Sequence, residues 1–212
     1  MDRSASLNPS NQPHKRTTAE PTLMEIETPP SAKPYEKPEG ERRGIVIVNT
    51  GDGKGKSTAA FGLALRAHGR GKPVKIWQFM KAPSARFGEH RMFEQLGIPI
   101  EGLGDGFSGK DQDLEQSGQL ARDGWLKAKA SILSGGYFLV VLDEITCPLI
   151  CGWLPLDDVL ITLRERPKQV HVVLTGRRCP PELIELADTV TEMQMVKHAF
   201  TAGIPTQRGS ED

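Results

Sequence analysis

Cysteine is scarce in this chain, neither sign of charge is in excess, and no apolar run is long. Each shortage excludes something. Three cysteines, Cys147, Cys151 and Cys179, in 212 residues do not make a disulfide framework. The 27 Lys and Arg residues balance 27 Asp and Glu, so there is no electrostatic case for a nucleic acid or an anionic membrane surface as the main partner. No apolar stretch approaches the roughly 20 residues that span a bilayer, and the N-terminus lacks the apolar core of a secretory signal. These absences lead to the expectation of a soluble cytoplasmic protein. The length suits one ordinary domain with a real core and is short for two.

A more local absence divides the chain. Residues 1–43 contain no Val, Phe or Trp and hold seven of the 16 prolines. Such a segment buries too little apolar surface to offset its ordering entropy. Residues 1–43 are therefore expected to form a Pro-rich, disordered tail, and residues 44–212 the folded domain.

After Gly44, apolar runs that read as buried strands alternate with amphipathic segments of helical length. Strands are expected at 44–50, 74–79, 98–103, 137–144, 169–176 and 189–196, the 98–103 segment lying at an edge. Helices are expected at 56–68, 88–96, about 111–133, 155–166 and 180–187. Strands separated by helices imply a mostly parallel sheet flanked by helices, an α/β fold. Ligands in such folds sit at the carboxyl ends of the strands. That rule gathers the loops after residues 50, 144 and 176 on one rim.

The stretch "VNTGDGKGKST" (48–58) occupies the first of those loops. Gly51, Asp52, Gly53, Lys54, Gly55, Lys56 and Ser57 follow a strand and open a helix, the context in which a phosphate-loop match carries meaning. Glycines let backbone N–H groups turn toward an anion, and the helix N-terminus adds its positive end. Lys56 supplies a point charge, Ser57 a hydroxyl suited to Mg²⁺, and Thr58 a second hydroxyl. The usual formula wants Gly at position 50, where Thr50 stands. "LVVLDEIT" (139–146) ends a buried strand in Asp143 and Glu144 on the same rim, where a carboxylate holds Mg²⁺ directly or through water. If the strand continues, the two point to opposite sides, so one faces the phosphates.

Other residues are more ambiguous. "TGRR" (175–178) ends a strand, and Arg177 there suits phosphate or ribose, although a surface Arg at a helix-approach turn reads the same way. Arg66 on the first helix reads as a nucleotide contact or as a solvent-facing charge. Cys147 and Cys151 are four apart, but no second pair or His cluster completes a zinc-type site, so buried, inert thiols are expected. Trp125 and Trp153 read as packing residues. His198, beside Lys197, is either ligand-facing or a structural or surface histidine.

Taken together, "TGDGKGKSTAAFGLALRAHGRGKPV", "LVVLDEIT", "GWLPLDDV", "VVLTGRRCPPELIELADTVTEM" and "VKHAFTAGIPTQRGSED" resemble the P-loop type of ATP:corrinoid adenosyltransferase, the cob(I)alamin or cob(I)yrinic acid a,c-diamide adenosyltransferases of vitamin B12 synthesis and salvage. The likeness runs from about Arg43 to the C-terminus. The family's own loop reads Thr-Gly-Asn-Gly-Lys-Gly-Lys-Thr-Thr, so Thr50 belongs to the pattern. The resemblance implies a RecA-like P-loop fold, a homodimer, and ATP and a corrinoid as substrates, with Mg²⁺ (or Mn²⁺) as cofactor. Co(I) attacks the ribose 5′ carbon of ATP, and triphosphate leaves. A reduced flavin protein is the implied electron donor. By position, residues 51–58 hold the triphosphate, Lys56 and the Ser57 and Thr58 hydroxyls are its key contacts, Glu144 assists the metal and Arg66 lies near the nucleoside.

Two departures stand out. The family often has Gly-Phe-Thr-Trp before its long helix, its aromatics close to the corrinoid. Here the stretch is "GFSGKDQD". Phe107 matches, whereas Gly109 stands where Trp is expected and Lys110 where Glu is expected. The family's charged helical N-terminus is replaced by the Pro-rich tail. Two competing readings use the same loop: a P-loop ATPase or phosphotransferase in which Glu144 orients water, and a non-enzymatic nucleotide- or corrinoid-binding module.

Overall fold

The computed structural model describes residues 39–106 and 114–210. Most of the expected tail, Phe107, Gly109, Lys110 and the first three residues of the expected long helix lie outside them.

Six strands form one sheet: β1 (Val46–Thr50), β2 (Val74–Gln78), β3 (Ile100–Gly102), β4 (Leu139–Asp143), β5 (His171–Thr175) and β6 (Thr189–Glu192). Their order is β3-β2-β4-β5-β1-β6, and every pairing is parallel. The helices are α1 (Lys56–His68), α2 (Gly88–Gln95), α3 (Leu114–Leu133), α4 (Thr146–Ile150), α5 (Leu156–Glu165) and α6 (Pro181–Leu186). This is the expected α/β architecture, with β3 at one edge, consistent with a RecA-like P-loop domain.

The sheet is buried on both faces, which explains strands without a polar alternation. Along β4 and β5, successive residues turn to opposite sides. Val141 and Val173 join Ala60, Ala64, Ile76 and Phe93 on the face covered by α1 and α2. Val140, Leu142, Val172 and Leu174 join Trp125, Ile132, Leu163 and Leu183 on the face covered by α3, α5 and α6. Each fully buried Val, Leu or Ile contributes about 1.5–3 kcal/mol. Alanines at 60, 64 and 67 give α1 a small-residue stripe at helical spacing, which brings its N-terminus close over the sheet. Trp125 is a packing residue: its ring is buried, and its indole N–H donates to Asp158 Oδ2 at 2.6 Å. Trp153 packs half-buried against the same core.

Because all strands run one way, their carboxyl ends (Thr50, Gln78, Asp143, Thr175 and Glu192) share one rim. At the opposite end, Asp188 accepts the Val46 N–H at 2.9 Å and pairs with Arg43 and Arg166.

Three features differ from expectation. The last strand stops at Glu192 instead of running to 196, because the next residues turn onto the loop after β1. Met193 N–H donates to Thr50 O at 2.8 Å, and Gly53 N–H donates to Met193 O at 2.7 Å. The five-residue α4 was not expected, since its sequence, TCPLI, carries a proline and β-branched residues of low helix propensity. The thiols are not uniformly buried: Cys179 is, Cys147 is half-buried and Cys151 is exposed. Burial pushes the Cys147 and Cys179 thiols up to about 11, so both are unreactive at neutral pH.

Candidate functional site

The loop between β1 and α1 is held in shape from outside. Gly51 has φ +94°, and a β-carbon built there would lie 2.4 Å from Met193 O. Only glycine combines this left-handed conformation with so close an approach. Gly55 is the N-cap of α1 and brings no side chain to cap the helix. The first N–H groups of α1 are therefore not covered by a capping side chain, as an anion site requires.

Lys56 is buried in this loop, and its ammonium donates to Gly53 O at 2.7 Å. Burial holds its pKa below the ordinary lysine value, with Arg177 pushing the same way and Glu144, Asp52 and Asp143 opposing. Ser57 is half-buried and Thr58 exposed at the same helix start, while Asp52 and Lys54 stand exposed on the loop.

Thr50 is built into the rim. Its hydroxyl accepts the Cys179 N–H at 3.3 Å and its carbonyl the Met193 N–H. One residue thus ties the phosphate loop to the chain after β5 and the chain after β6.

The second wall comes from β4. Asp143 is 2 % exposed and holds no solvent-facing position. Its Oδ2 accepts from Gln78 Nε2 at 3.0 Å, and its Oδ1 accepts from the Thr175 hydroxyl at 2.7 Å. The same hydroxyl accepts the Glu144 N–H at 2.9 Å. Glu144 leaves the strand with φ +57°, in the left-handed region that a non-glycine residue seldom adopts. Its half-buried carboxyl makes no side-chain hydrogen bond to the described residues. Burial raises its pKa above the ordinary carboxylate range, Asp143 adds to the rise, and Lys56, Arg177 and Lys81 oppose it.

Arg177 is exposed on the turn after β5 yet acts on both Lys56 and Glu144. That turn sits tight on α4: a β-carbon on Gly176 would fall 2.0 Å from Thr146 Oγ1. Position 176 therefore excludes any side chain, and the small residue sets where Arg177 begins.

The structure thus brings Asp52, Asp143, Glu144 and Arg177 within electrostatic reach of Lys56. It does not bring in Arg66, which lies exposed in the last turn of α1, about 15 Å along the helix from Lys56. His198 lies in the segment after β6. Its Nδ1 accepts the Phe200 N–H at 3.1 Å and its carbonyl accepts the Thr201 hydroxyl at 2.7 Å, so its bonds are local. The rim residues not anticipated are Gln78, Lys81, Thr175 and Met193.

The oxygen donors suit a hard divalent cation. The Ser57 hydroxyl and the uncommitted Glu144 carboxyl are the groups open to one, while both Asp143 oxygens already accept protein hydrogen bonds.

Comparison with known proteins bears on this site. Residues 42–211 match the family described as ATP:corrinoid adenosyltransferase BtuR/CobO/CobP. The chain is 43% identical over 169 residues to a corrinoid adenosyltransferase of Escherichia coli strain K12, covering 80% of this chain and 86% of that one. It is 43% identical over 173 residues to a corrinoid adenosyltransferase of Pseudomonas aeruginosa, covering 81% and 85%. It is 41% identical over 169 residues to the corrinoid adenosyltransferase CobA of Salmonella typhimurium, covering 80% and 86%.

Proposed function

The chain belongs to the ATP:corrinoid adenosyltransferase family, and from that premise we propose that it moves the 5′-deoxyadenosyl group of ATP onto the Co(I) of a corrinoid in cobalamin biosynthesis or salvage. The observation that carries this reading is the set Lys56, Glu144 and Arg177, mutually coupled on the strand-end rim beside the phosphate loop.

In this reaction the cobalt electron pair forms a bond to the ribose 5′ carbon. The bond from that carbon to its oxygen breaks, and the electron pair leaves with triphosphate. No hydroxyl nucleophile needs activating, so the protein needs no general base. Its task is to hold geometry and to meet the charge that develops on the departing triphosphate. The 51–58 loop offers backbone N–H groups and the helix N-terminus. Lys56 exchanges its bond to Gly53 O for one to a phosphate oxygen, the point charge fixed near its place beforehand by burial. Arg177 adds a fork of donors at the edge. Ser57 and Glu144, with Asp143 beside them, would hold Mg²⁺ or Mn²⁺, which would add to the neutralisation of the triphosphate.

The same reading extends to Asp52, Lys54, Thr58 and Arg66 as ATP contacts, and to Phe107 and His198 as corrinoid contacts. It further takes the enzyme as a cytoplasmic homodimer fed by a reduced flavin protein, with residues 1–43 as a tail outside the catalytic domain. The family resemblance supports the substrate, homodimer and reductant assignments; composition supports the tail, although Arg43 pairs with Asp188 of the domain.

The products test the function. With ATP, Mg²⁺ and chemically reduced cobalamin, triphosphate and a light-sensitive alkyl-cobalt species form together in equal amounts. Release of ADP and phosphate without a carbon–cobalt bond would instead make the protein a hydrolase with Glu144 orienting water, and binding without turnover would make it a carrier.

A further inference from the structure

A cavity lies at the start of α2, beyond the carboxyl end of β2. It has a volume of about 460 Å³ and is lined by Arg86, Phe87, Gly88, Arg91, Arg208 and Gly209. Three of its six lining residues carry guanidinium groups and none is acidic. Glu89, between Gly88 and His90, does not line it. All three arginines are solvent-exposed, and none has a carboxylate within ion-pair distance among the described residues. Arg86 spends one nitrogen on Ala85 O at 2.8 Å and Pro83 O at 3.2 Å. Uncompensated guanidinium groups around one hollow hold a standing attraction for an oxyanion.

The cavity is linked to the site already described through the loop after β2. It opens on α2, whose strand β2 ends in Gln78 against Asp143. Lys81, on the loop between them, acts electrostatically on Glu144 and also stands 4.0 Å over the Phe87 ring. Against that ring lies His90, buried, its pKa lowered by burial, without a hydrogen-bond partner for either ring nitrogen among the described residues. Phe87 therefore gives the cavity an aromatic surface, and the arginines give it positive charge.

The triphosphate has its own cradle in the 51–58 loop and Lys56. An anion flanked by apolar surface is left for the other substrate. We propose that this cavity is an oxyanion subsite for the corrinoid, taking a carboxylate or a phosphodiester carried on the edge of the macrocycle. The assignment rests on the corrinoid reading of the site. Arg91 and Arg208 grip the oxyanion from α2 and from the C-terminal segment, and Phe87 supports the apolar link that bears it. The subsite gives the enzyme a preference among corrinoids according to the acids they carry.

The test compares wild-type protein with the double variant Arg91→Gln/Arg208→Gln, both positions exposed and unpaired, so that the melting temperature stays within about 1 °C. Equilibrium dialysis in the presence of ATP gives dissociation constants for three corrinoids: cobalamin (a phosphodiester), cobyrinic acid a,c-diamide (carboxylates) and cobinamide (neither). The double variant binds one or both of the acidic corrinoids about tenfold more weakly, the loss shrinks in high salt, and cobinamide binding is unchanged. Which acid responds identifies the group recognised. An equal loss for all three, no loss for any, or a loss confined to ATP overturns the subsite. If wild-type protein binds acidic corrinoids selectively but makes no alkyl-cobalt, the transfer reading fails and the subsite stands. If it binds none of the three, the subsite falls as well.

Discussion

The Thr175 hydroxyl donates to Asp143 Oδ1 at 2.7 Å and, with the same oxygen, accepts the Glu144 N–H at 2.9 Å. A side chain on β5 thereby holds both members of the carboxylate pair that ends β4. Its donor fixes the Asp143 carboxylate, and its acceptor pins the backbone where Glu144 turns left-handed.

Thr175→Val keeps the shape and removes the hydroxyl. Asp143 then loses a donor at a fully buried site and the Glu144 N–H loses its acceptor. The expected loss is about 1–3 kcal/mol of stability, together with a fall in kcat as Glu144 drifts from its place on the rim. Thr175→Ser restores both. Urea denaturation and steady-state assay of the three proteins check this, and an unaffected kcat in the Val variant removes Thr175 from the positioning of Glu144.

Thr50→Gly would restore the standard phosphate-loop formula, yet it is expected to weaken the protein. The hydroxyl that receives the Cys179 N–H disappears, and a glycine enters a strand end. A loss of about 1–3 kcal/mol follows, with no gain in ATP affinity. Thr50→Ser retains the bond. A tighter ATP complex in the Gly variant would mean that Thr50 is a compromise in the loop and not a strut of the rim.

Much of this site is legible in the sequence. The strand–loop–helix around Lys56 and the apolar run ending at Asp143-Glu144 announce themselves by residue type and spacing. Parallel topology then puts residues 50, 144 and 176 on one rim. What sequence misses is held by backbone or by partners remote in the chain. Met193 braces the loop through its N–H and C=O, which any residue carries, so its identity gives no signal. Gln78 and Thr175 are polar residues at the ends of apolar strands, and that break in pattern is a usable clue, although not to their shared partner Asp143. Strand alternation turns Asp143 and Glu144 to opposite sides without saying which faces the loop, and Glu144 leaves the strand in a conformation that residue type does not foretell.

Lys56→Ala removes a buried ammonium that is not part of the hydrophobic core. The fold is expected to survive with near-normal far-UV circular dichroism. Turnover is expected to drop by about 10²-fold or more, the scale for deleting a group that meets transition-state charge. Full activity in this variant would show that the 51–58 loop is not the triphosphate cradle.

The shifted groups draw both edges of the pH profile for ATP binding inward. Glu144, raised by burial and by Asp143, takes up its proton above the ordinary glutamate value of about 4.3. Lys56, lowered by burial, loses its charge below the ordinary lysine value of about 10.4. With Mg²⁺, ATP affinity falls on the acid side as the metal-holding carboxylate is lost, and on the basic side as the ammonium is lost. With EDTA the acid limb reverses, since an ionised Glu144 without a cation only repels triphosphate. Calorimetric titrations across pH, with and without EDTA, separate these cases. An acid limb of the same sign in both series removes Glu144 from metal binding.

Glu144→Gln separates function from stability. The folded-state pKa of Glu144 lies above that of an unfolded glutamate. The linked contribution to stability is therefore fully present below the unfolded pKa and is lost as pH rises through the folded one. Wherever it is ionised, the half-buried carboxylate is a net cost to stability. Replacing it by an amide of the same size is expected to raise the melting temperature of the ligand-free protein by roughly 1–3 °C at pH 7. At pH 3, below the ordinary glutamate value of about 4.3, the carboxyl is protonated both folded and unfolded, and the two proteins melt together. Turnover falls in the variant at every pH. Thermal melts at the two pH values check the sign. A variant that melts lower than wild type at pH 7 would mean that attraction to Lys56 and Arg177 outweighs desolvation, and that Glu144 is held as a structural ion pair instead of being kept open for the metal.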